Sequence, residues 1–202
     1  MLNQFSNLSC YEEFEIRCTL TGISKVDVLK IIGRQINDYY FIISEDGIFN
    51  WFDLEGNHVE NPCVLKTIKE KYIPKTITKC IIPNGVTSIG DGAFWGCESL
   101  KEITIPNSVI SIGECTFYCC IALKEITIPN SVTSIRHKAF VCCESLTSIT
   151  IPDSVTNIGR WSFSHCGSLK EIIFKGKTLK QVKQIMNYPF GIKDESIIKC
   201  EM

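Results

Sequence analysis

Residues 82–100 read IPNGVTSIGDGAFWGCESL, and similar stretches follow at residues 105–123, 128–146 and 151–169, each 23 residues after the last. The copies keep apolar residues at matching positions and vary elsewhere. Two of the best preserved columns are Phe94, Phe117, Phe140 and Phe163, and Cys97, Cys120, Cys143 and Cys166. One such unit cannot bury its apolar side alone, so the copies must stack and share a core. The middle of the chain is therefore predicted to be a solenoid.

Each unit contains one predicted strand. Residues 100–107 alternate apolar with polar side chains, as a half-buried strand does. Pro106 removes a backbone donor and ends the strand, after which Asn107 and Ser108 make a turn. The predicted fold class is therefore α/β: a solenoid with parallel β-strands, a small N-terminal βαββ domain and a C-terminal helix–strand cap.

The repeat resembles the leucine-rich repeats of the BspA type, whose unit is similar to Ile-Pro-Asn-Ser-Val-Thr-Ser-Ile-Gly-x-x-Ala-Phe-x-x-Cys-x-Ser-Leu. The resemblance covers residues 74–174 and implies a curved, right-handed leucine-rich repeat solenoid with its strands on the concave side. The segment from Phe174 to Ile192 looks like an end module often appended to such repeats. The resemblance also implies a class of function, which is protein interaction or adhesion, often at cell surfaces.

Residues 1–65 carry no trace of the repeat and are predicted to form the small N-terminal domain. Phe14–Leu20 is typical of a strand, and Ser24 followed by Asp27 predicts the start of a helix over residues 25–36. Two further strands are predicted at Tyr39–Ser44 and Ile48–Leu54, joined by a tight turn. We expect this unit to cap the first coil.

The solenoid is expected to span residues 66–174, beginning with a degenerate coil, and residues 175–202 are expected to form the C-terminal cap. Thr178 and Gln181 match a capping box, which predicts a helix to about residue 187. The apolar face of this helix consists of Leu179, Val182, Ile185 and Met186. We expect this face to lie over the last coil, and a short strand to follow at Ser196–Cys200.

The composition narrows the classes of partner. The 202 residues are 45% hydrophobic and carry a formal net charge of -1, so the chain has no general attraction for phosphates. Nucleic acid and anionic membranes are therefore not expected partners. No apolar run reaches the ~18 residues needed to cross a bilayer, and the first residues lack the basic and apolar pattern of an export signal. We therefore expect a cytoplasmic protein.

The 12 cysteines raise the question of disulfides and metal sites. The four in one repeat column are expected to be buried free thiols, since free cysteine behaves as a small hydrophobe. Neighbouring coils are close enough for a disulfide, but a reducing compartment prevents it. Cys119, Cys142 and His165 fall on successive coils. However, a paired Cys-x-x-Cys motif and a fourth ligand are both missing, which argues against a structural zinc site.

The sequence offers no catalytic motif. It contains neither a phosphate-binding loop nor a dinucleotide fingerprint, and no local Cys-His arrangement is visible. We therefore predict no catalytic residues, no cofactor and no metal, and we predict that the chain is not an enzyme.

Two surfaces are candidate protein-binding sites. The first consists of outward strand positions, namely Glu102, Thr104, Glu125, Thr127, Thr150 and Glu171. These are either a solvated strand face or a concave binding surface. The second lies near the phenylalanine column and consists of Trp95, Tyr118, Arg160 and Trp161. Such residues are enriched at binding hot spots. The alternative is that the rings lie flat over neighbouring coils and shield the core.

Four hypotheses of function remain open at this point. The first is a non-enzymatic module that binds a partner protein through the solenoid surface, with the N-terminal unit adding specificity. The second is a stoichiometric inhibitor or effector that blocks an intracellular enzyme such as a nuclease. The third is an enzyme within residues 1–65, and a fragment of a surface adhesin also stays open. The identity of the partner and the oligomeric state are not fixed by the sequence.

Overall fold

The computed structural model describes residues 24–36, 39–43, 47–55, 57–60, 62 and 65–202. The strand expected at Phe14–Leu20 lies outside these residues. In chain order the helices and strands are α1 Lys25–Ile32, β1 Arg34–Ile36, β2 Tyr39–Ile43, β3 Phe49–Phe52, β4 His58–Val59, β5 Thr67–Ile68, β6 Lys79–Ile81, β7 Ser88–Ile89, β8 Glu102–Thr104, β9 Ser111–Ile112, β10 Ser134–Ile135, β11 Ser148–Ile151, β12 Asn157–Ile158, β13 Glu171–Lys175, α2 Leu179–Val182 and β14 Ile198–Glu201. Two short 3-10 turns lie at Glu70–Tyr72 and Glu195–Ile197.

The N-terminal unit is one helix followed by a four-stranded antiparallel sheet in the order β1-β2-β3-β4. Ser24 caps α1 by accepting a hydrogen bond from the backbone N–H of Asp27 at 3.2 Å. The helix ends at Ile32, four residues earlier than the sequence suggests. Residues 34–36 are extended instead because they pair with β2, and Ile36 lies opposite Tyr39. Sheet pairing therefore overrides the apolar spacing that favoured a longer helix.

The solenoid that the sequence predicts is confirmed, and its strands are parallel. One strand column contains β6, β8, β11, β13 and β14. The register joins residues 23 positions apart between β6 and β8 and between β11 and β13, as with Cys80 and Ile103, and 26 positions apart between β13 and β14. A second column, which the sequence did not reveal, is the five-stranded sheet β5-β7-β9-β10-β12. Its strands are only two residues long, which is too short for a period-2 pattern to be recognised.

The third side of each coil is a series of turns, which we call the turn face: residues 91–96, 114–119, 137–142 and 160–165. Backbone N–H groups at every second position donate to carbonyls of the next coil. For example, Phe94 N donates to Thr116 O at 2.8 Å, and Phe117 N donates to Ala139 O at 2.8 Å. These bonds satisfy buried backbone groups without a strand.

The core runs without a break along the stack. The rings of the phenylalanine column lie parallel, with centroids 5.3 Å apart for Phe94 and Phe117, 5.2 Å for Phe117 and Phe140, and 5.5 Å for Phe140 and Phe163. All four are buried. The C-terminal segment packs beside the last ring of this row, since the N–H of Phe163 donates to the carbonyl of Phe190 at 3.0 Å.

The cysteine column has a hydrogen-bonding role beside its packing. The thiols of Cys120, Cys143 and Cys166 donate to the phenylalanine carbonyls of the preceding coils at 3.2, 3.2 and 3.0 Å. Burial raises the pKa of Cys166 to about 12 and that of Cys143 well above its ordinary value. These thiols therefore stay protonated and connect one coil to the next.

The N-terminal unit packs directly on the first coil. The carbonyl of Gly47 accepts a hydrogen bond from the N–H of Ile81 at 2.8 Å. The ring of Phe41 lies 5.6 Å from that of Tyr72, and Phe41, Phe49 and Trp51 belong to the same continuous core as the repeats. The first coil is therefore covered by this unit.

The C-terminal segment differs from the expected cap in detail. The helix α2 has its capping box at Thr178 and Gln181 but contains only four residues. Val182 and Ile185 are buried, whereas Leu179 is 46% and Met186 71% exposed. The expected four-residue apolar face is therefore wrong, because the chain leaves the helix after Val182 and turns Met186 outward. The strand β14 follows at Ile198–Glu201 and pairs in parallel with β13.

Candidate binding surfaces

We use the name strand face for the outward side chains of β6, β8, residues 124–127, β11 and β13. Glu102, Thr104, Glu125 and Thr127 are exposed there, and Thr150 and Glu171 are partly exposed. The intervening Ile103, Ile126 and Ile149 are buried, so the alternation predicted for the strand is present. Lys79 and Glu102 lie opposite each other and form an ion pair at 3.2 Å.

The strand face is not continuous. The described strands of this column form two separate sheets, β6-β8 and β11-β13-β14. Residues 124–127 lie between them and pair with β11 through a bridge between Thr127 and Thr150. A groove of about 450 Å³ lies where the ladder opens, and it is lined by residues 101–104 and 124–127. Four of the sequence-predicted residues therefore line one concavity: Glu102, Thr104, Glu125 and Thr127.

The four residues predicted near the phenylalanine column separate into two clusters on the turn face. Trp95 is 49% exposed, and its ring lies 5.4 Å from that of Tyr118. Val141 and Ser164, which occupy the same position in the next two coils, are buried. The row of exposed rings therefore ends at Tyr118.

The second cluster lies on the last coils. Trp161 is 43% exposed, and the guanidinium carbon of Arg160 lies 4.5 Å from its ring centroid. The ammonium of Lys138 lies 5.5 Å from the same centroid, and the His137 ring is 5.6 Å away. Aromatic and cationic side chains thus contact each other at one point.

The turn face has a backbone property that sequence reasoning missed. Gly92, Cys115, Lys138 and Trp161 occupy one column, and all have a positive φ, between 51° and 62°. Gly96, Cys119, Cys142 and His165 form a second such column. Residues with a side chain rarely adopt this left-handed backbone conformation, whereas glycine adopts it freely. The only signal in the sequence is the glycine at each column's first position.

Cys119 and Cys142 are partly exposed neighbours on successive coils. Burial raises the pKa of Cys119, and the adjacent Cys142 raises it further. Within the part of the chain that the structure describes, no group of three metal-ligating side chains is close enough to hold an ion. Among the same residues, no helix has the length and apolar character needed to cross a membrane.

The comparisons with known proteins agree with this geometry. The family model described as BspA type leucine-rich repeat region matches residues 66–193 in six copies. This match extends the repeat region beyond residues 74–174, on which the sequence resemblance rests. No curated protein is significantly similar to the chain.

Several solved structures are similar to the chain. A leucine-rich repeat protein of T. pallidum is 34% identical, with a TM-score of 0.49, and the match covers 57% of this chain and 56% of that one. A leucine-rich cell surface protein of Faecalibacterium prausnitzii is 25% identical, with a TM-score of 0.48, over 77% of this chain and 42% of that one. The pneumococcal vaccine antigen PcpA is 19% identical, with a TM-score of 0.52, over 84% of this chain and 47% of that one.

The chain thus spans about half the length of these three structures. The likeness to PcpA supports the fold, and the family model accounts for most of the sequence. The repeat period, the parallel strand columns and the matched region together show that the chain belongs to the BspA-type leucine-rich repeat family.

Proposed function

We propose that this chain is a non-enzymatic module that binds a partner protein through the strand face. The observation that supports this proposal most directly is the groove between β8 and residues 124–127, where exposed Glu, Thr and Lys side chains stand over a buried core. Repeat proteins commonly bind partners on such extended surfaces, because each coil contributes a few side chains to one site.

The charges of the strand face favour a polar partner surface. Lys101 and Lys124 form one exposed row, and Glu102 and Glu125 form another beside it. A partner with the opposite arrangement of charges gains complementarity at two coils at once. Because like-charge mismatches are costly, such a surface selects among partners more than it adds to affinity.

The N-terminal unit is part of the same proposal. It lies on the first coil and adds specificity at that end of the strand face. Deleting residues 1–65 is a poor test, because Phe41, Phe49 and Trp51 share the continuous core with the repeats. Charge changes on the intact chain avoid this problem.

The test is affinity capture from cells that express the chain naturally, with three forms of the full-length protein. The first is the unchanged chain, and the second carries Glu102→Lys and Glu125→Lys on the strand face. The control carries Glu98→Lys and Glu144→Lys, which are exposed and lie off that face, so that the charge change is the same. We expect one protein to bind the unchanged chain and the control but not the strand-face variant.

Equal capture by all three forms would show that the strand face is not the binding surface. Loss of capture by both variants would show that overall charge alone matters. Measuring the free energy of unfolding of each form confirms that the comparison is made between folded proteins.

A further inference from the structure

Basic side chains surround one aromatic ring on the last two described coils, on the turn face and at Arg136 just before it. We call this group the basic patch, and it consists of Arg136, His137, Lys138, Arg160 and Trp161. Arg136 and Arg160 are exposed, and His137 and Lys138 are partly exposed. The N–H of Lys138 donates to the carbonyl of Arg160 at 3.1 Å, so the two coils hold these side chains side by side.

The carboxylate of Glu114 lies on the preceding coil, close enough that Glu114 and Lys138 both influence the pKa of Cys115. Among the described residues, no ion pair within 4.0 Å involves Arg136, Lys138 or Arg160. Instead, Arg160 and Lys138 both lie within 6 Å of the one Trp161 ring, at 4.5 and 5.5 Å from its centroid. The ring attracts both cations, but the two positive charges still repel each other. An anion bound between them relieves that repulsion.

A groove of about 640 Å³ lies beside the patch, between the last coil and the C-terminal segment. Its charged lining residues, Arg160 and Lys193, are both basic, and Trp161 and Tyr188 provide aromatic walls. Two acidic side chains follow Lys193 on this segment, and one of them, Glu195, accepts a hydrogen bond from the Tyr188 hydroxyl and pairs with Lys183 at 3.8 Å. The neighbouring Asp194 accepts a hydrogen bond from the Ser196 N–H at 2.9 Å. The groove therefore offers cations and aromatic surface together.

The first two coils of the turn face have the opposite charge, and the second of them adjoins the patch. Asp91 and Glu114 occupy the positions of His137 and Arg160 in the first two coils and are exposed. Glu70 lies beyond them in an ion pair with Lys75 at 2.8 Å. A long nucleic acid that followed the coils would meet these carboxylates and be repelled. A short acidic segment confined to the last coils would not.

We propose that the basic patch and its groove bind a short acidic peptide segment of a partner protein. Carboxylates of the peptide pair with Arg160 and Lys193, and an apolar side chain lies on the Trp161 ring. This inference rests on the proposed function as a protein-binding module, but it names a second surface and the chemistry of what binds there.

The test uses the full chain and a fluorescein-labelled synthetic octapeptide of alternating glutamate and leucine, measured by fluorescence anisotropy. We expect saturable binding that weakens at least tenfold between about 50 and about 500 mM salt, because the attraction is between partly exposed charges. A peptide with glutamine in place of glutamate is expected to bind at least tenfold more weakly.

Two pairs of variants locate the site. Arg160→Glu with Lys193→Glu is expected to weaken binding at least tenfold. Its control, Lys101→Glu with Lys124→Glu, makes the same charge change on the strand face and is expected to change binding less than twofold.

Trp161→Gly removes the ring at a backbone position with a φ of 59°, which glycine adopts freely, and is expected to weaken binding severalfold. Cys115→Gly makes the same backbone change two coils before Trp161 and outside the groove, and it is expected to have no effect.

Equal losses in the two charge-reversal variants would overturn the proposal, because the attraction would then belong to the whole chain. Stronger binding of an eight-nucleotide thymidylate than of the glutamate peptide would overturn the choice of an acidic peptide. These outcomes are independent of the capture experiment above. A partner lost on changing Glu102 and Glu125 supports the proposed function even when the peptide fails to bind.

Discussion

The strand face and the turn face belong to the same coils but hold them together differently. On the strand face, parallel pairing stops after β8 and resumes with a single bridge between Thr127 and Thr150 of β11. On the turn face, hydrogen bonds join each coil to the next from Gly92 through Cys142. The face without strands therefore has the more regular ladder.

On the turn face, it is mainly the backbone that holds the coils together. The turn face keeps the coils in register through left-handed residues, so its outward side chains change from coil to coil, as Cys115, Lys138 and Trp161 do. The strand face repeats its side chains but has an open ladder and a groove. One face therefore offers a repeated polar surface, and the other offers single, distinct clusters.

The largest expected effect comes from the core that both faces share. Phe117→Ala removes a fully buried ring that stacks on Phe94 and Phe140 at 5.3 and 5.2 Å. We expect the free energy of unfolding to fall by about 4 kcal/mol, measured by urea denaturation. Ile110→Ala is the control, because this side chain is 51% exposed, and its effect is expected to stay below about 1 kcal/mol. Similar losses in both variants would contradict a continuous aromatic core.

A second prediction tests how closely the coils approach beside the turn face. A Cβ on Gly159 would lie 2.2 Å from the backbone nitrogen of His137, so Gly159→Ala must push two coils apart. We expect a loss of about 3 kcal/mol in the free energy of unfolding. A Cβ on Gly167 meets no atom within 4 Å, so Gly167→Ala is expected to change it by less than about 0.5 kcal/mol. A tolerated alanine at residue 159 would show that the turns are not rigidly stacked.

The third prediction concerns alkaline pH. Burial raises the pKa of Cys97 to about 11 and of Cys166 to about 12, and it raises the pKa values of Cys80, Cys120 and Cys143 further. The unfolded chain loses these protons near pH 9, whereas the folded chain keeps them, so stability is fully present below about pH 9 and is lost above it. We expect each thiol to lower the free energy of unfolding by about 1 kcal/mol per pH unit above this point.

Urea denaturation at several pH values checks this expectation. Cys120→Ser replaces a titrating thiol with a hydroxyl that still donates to the Phe94 carbonyl, so its stability should fall less steeply with pH than that of the unchanged chain. Identical slopes in the two proteins would mean that this thiol ionises as readily in the fold as in the unfolded chain.

The smallest expected effect comes from placing glycine on each of the two faces, which is expected to change the free energy of unfolding in opposite directions. Lys138→Gly on the turn face relieves a φ of 54° and is expected to raise the free energy of unfolding by up to about 1 kcal/mol. Thr150→Gly in β11 on the strand face is expected to lower it by about 1 kcal/mol, since glycine weakens a strand. Thermal unfolding of both variants gives the signs, and equal signs would remove the backbone distinction between the faces.

The apolar columns predicted the solenoid because burial is periodic and every copy repeats the same side chains. The pairing of Cys120 with the Phe94 carbonyl was not visible, since a sequence gives the donor but not the coil that faces it. The helix end at Ile32 was missed for a related reason: the apolar residues around it suit a helix and a strand equally, and pairing with β2 decides between them.

The candidate surfaces were only partly foreseeable. Outward strand positions follow from alternation, so Glu102 and Glu125 could be placed on one face without coordinates. The end of the row of exposed rings at Tyr118 could not be foreseen, because it depends on the burial of Val141 and Ser164, which occupy the same position in the next two coils. Likewise, nothing in the sequence joins Lys193 to Arg160, since the C-terminal segment has to turn back at Gly191 before both line one groove.

Because each end of the stack is covered by a segment outside the regular repeats, the number of internal repeats can change in evolution. The N-terminal unit covers one end, where the Gly47 carbonyl accepts a hydrogen bond from Ile81. At the other end, β14 pairs with β13, and the Phe190 carbonyl accepts a hydrogen bond from Phe163. Duplication of one internal 23-residue block between Pro106 and Pro129 would leave the contacts at both ends unchanged. Each added block would move Trp161 about 5 Å further from Trp95. The distance between the two aromatic clusters would therefore grow by the same amount with every duplication.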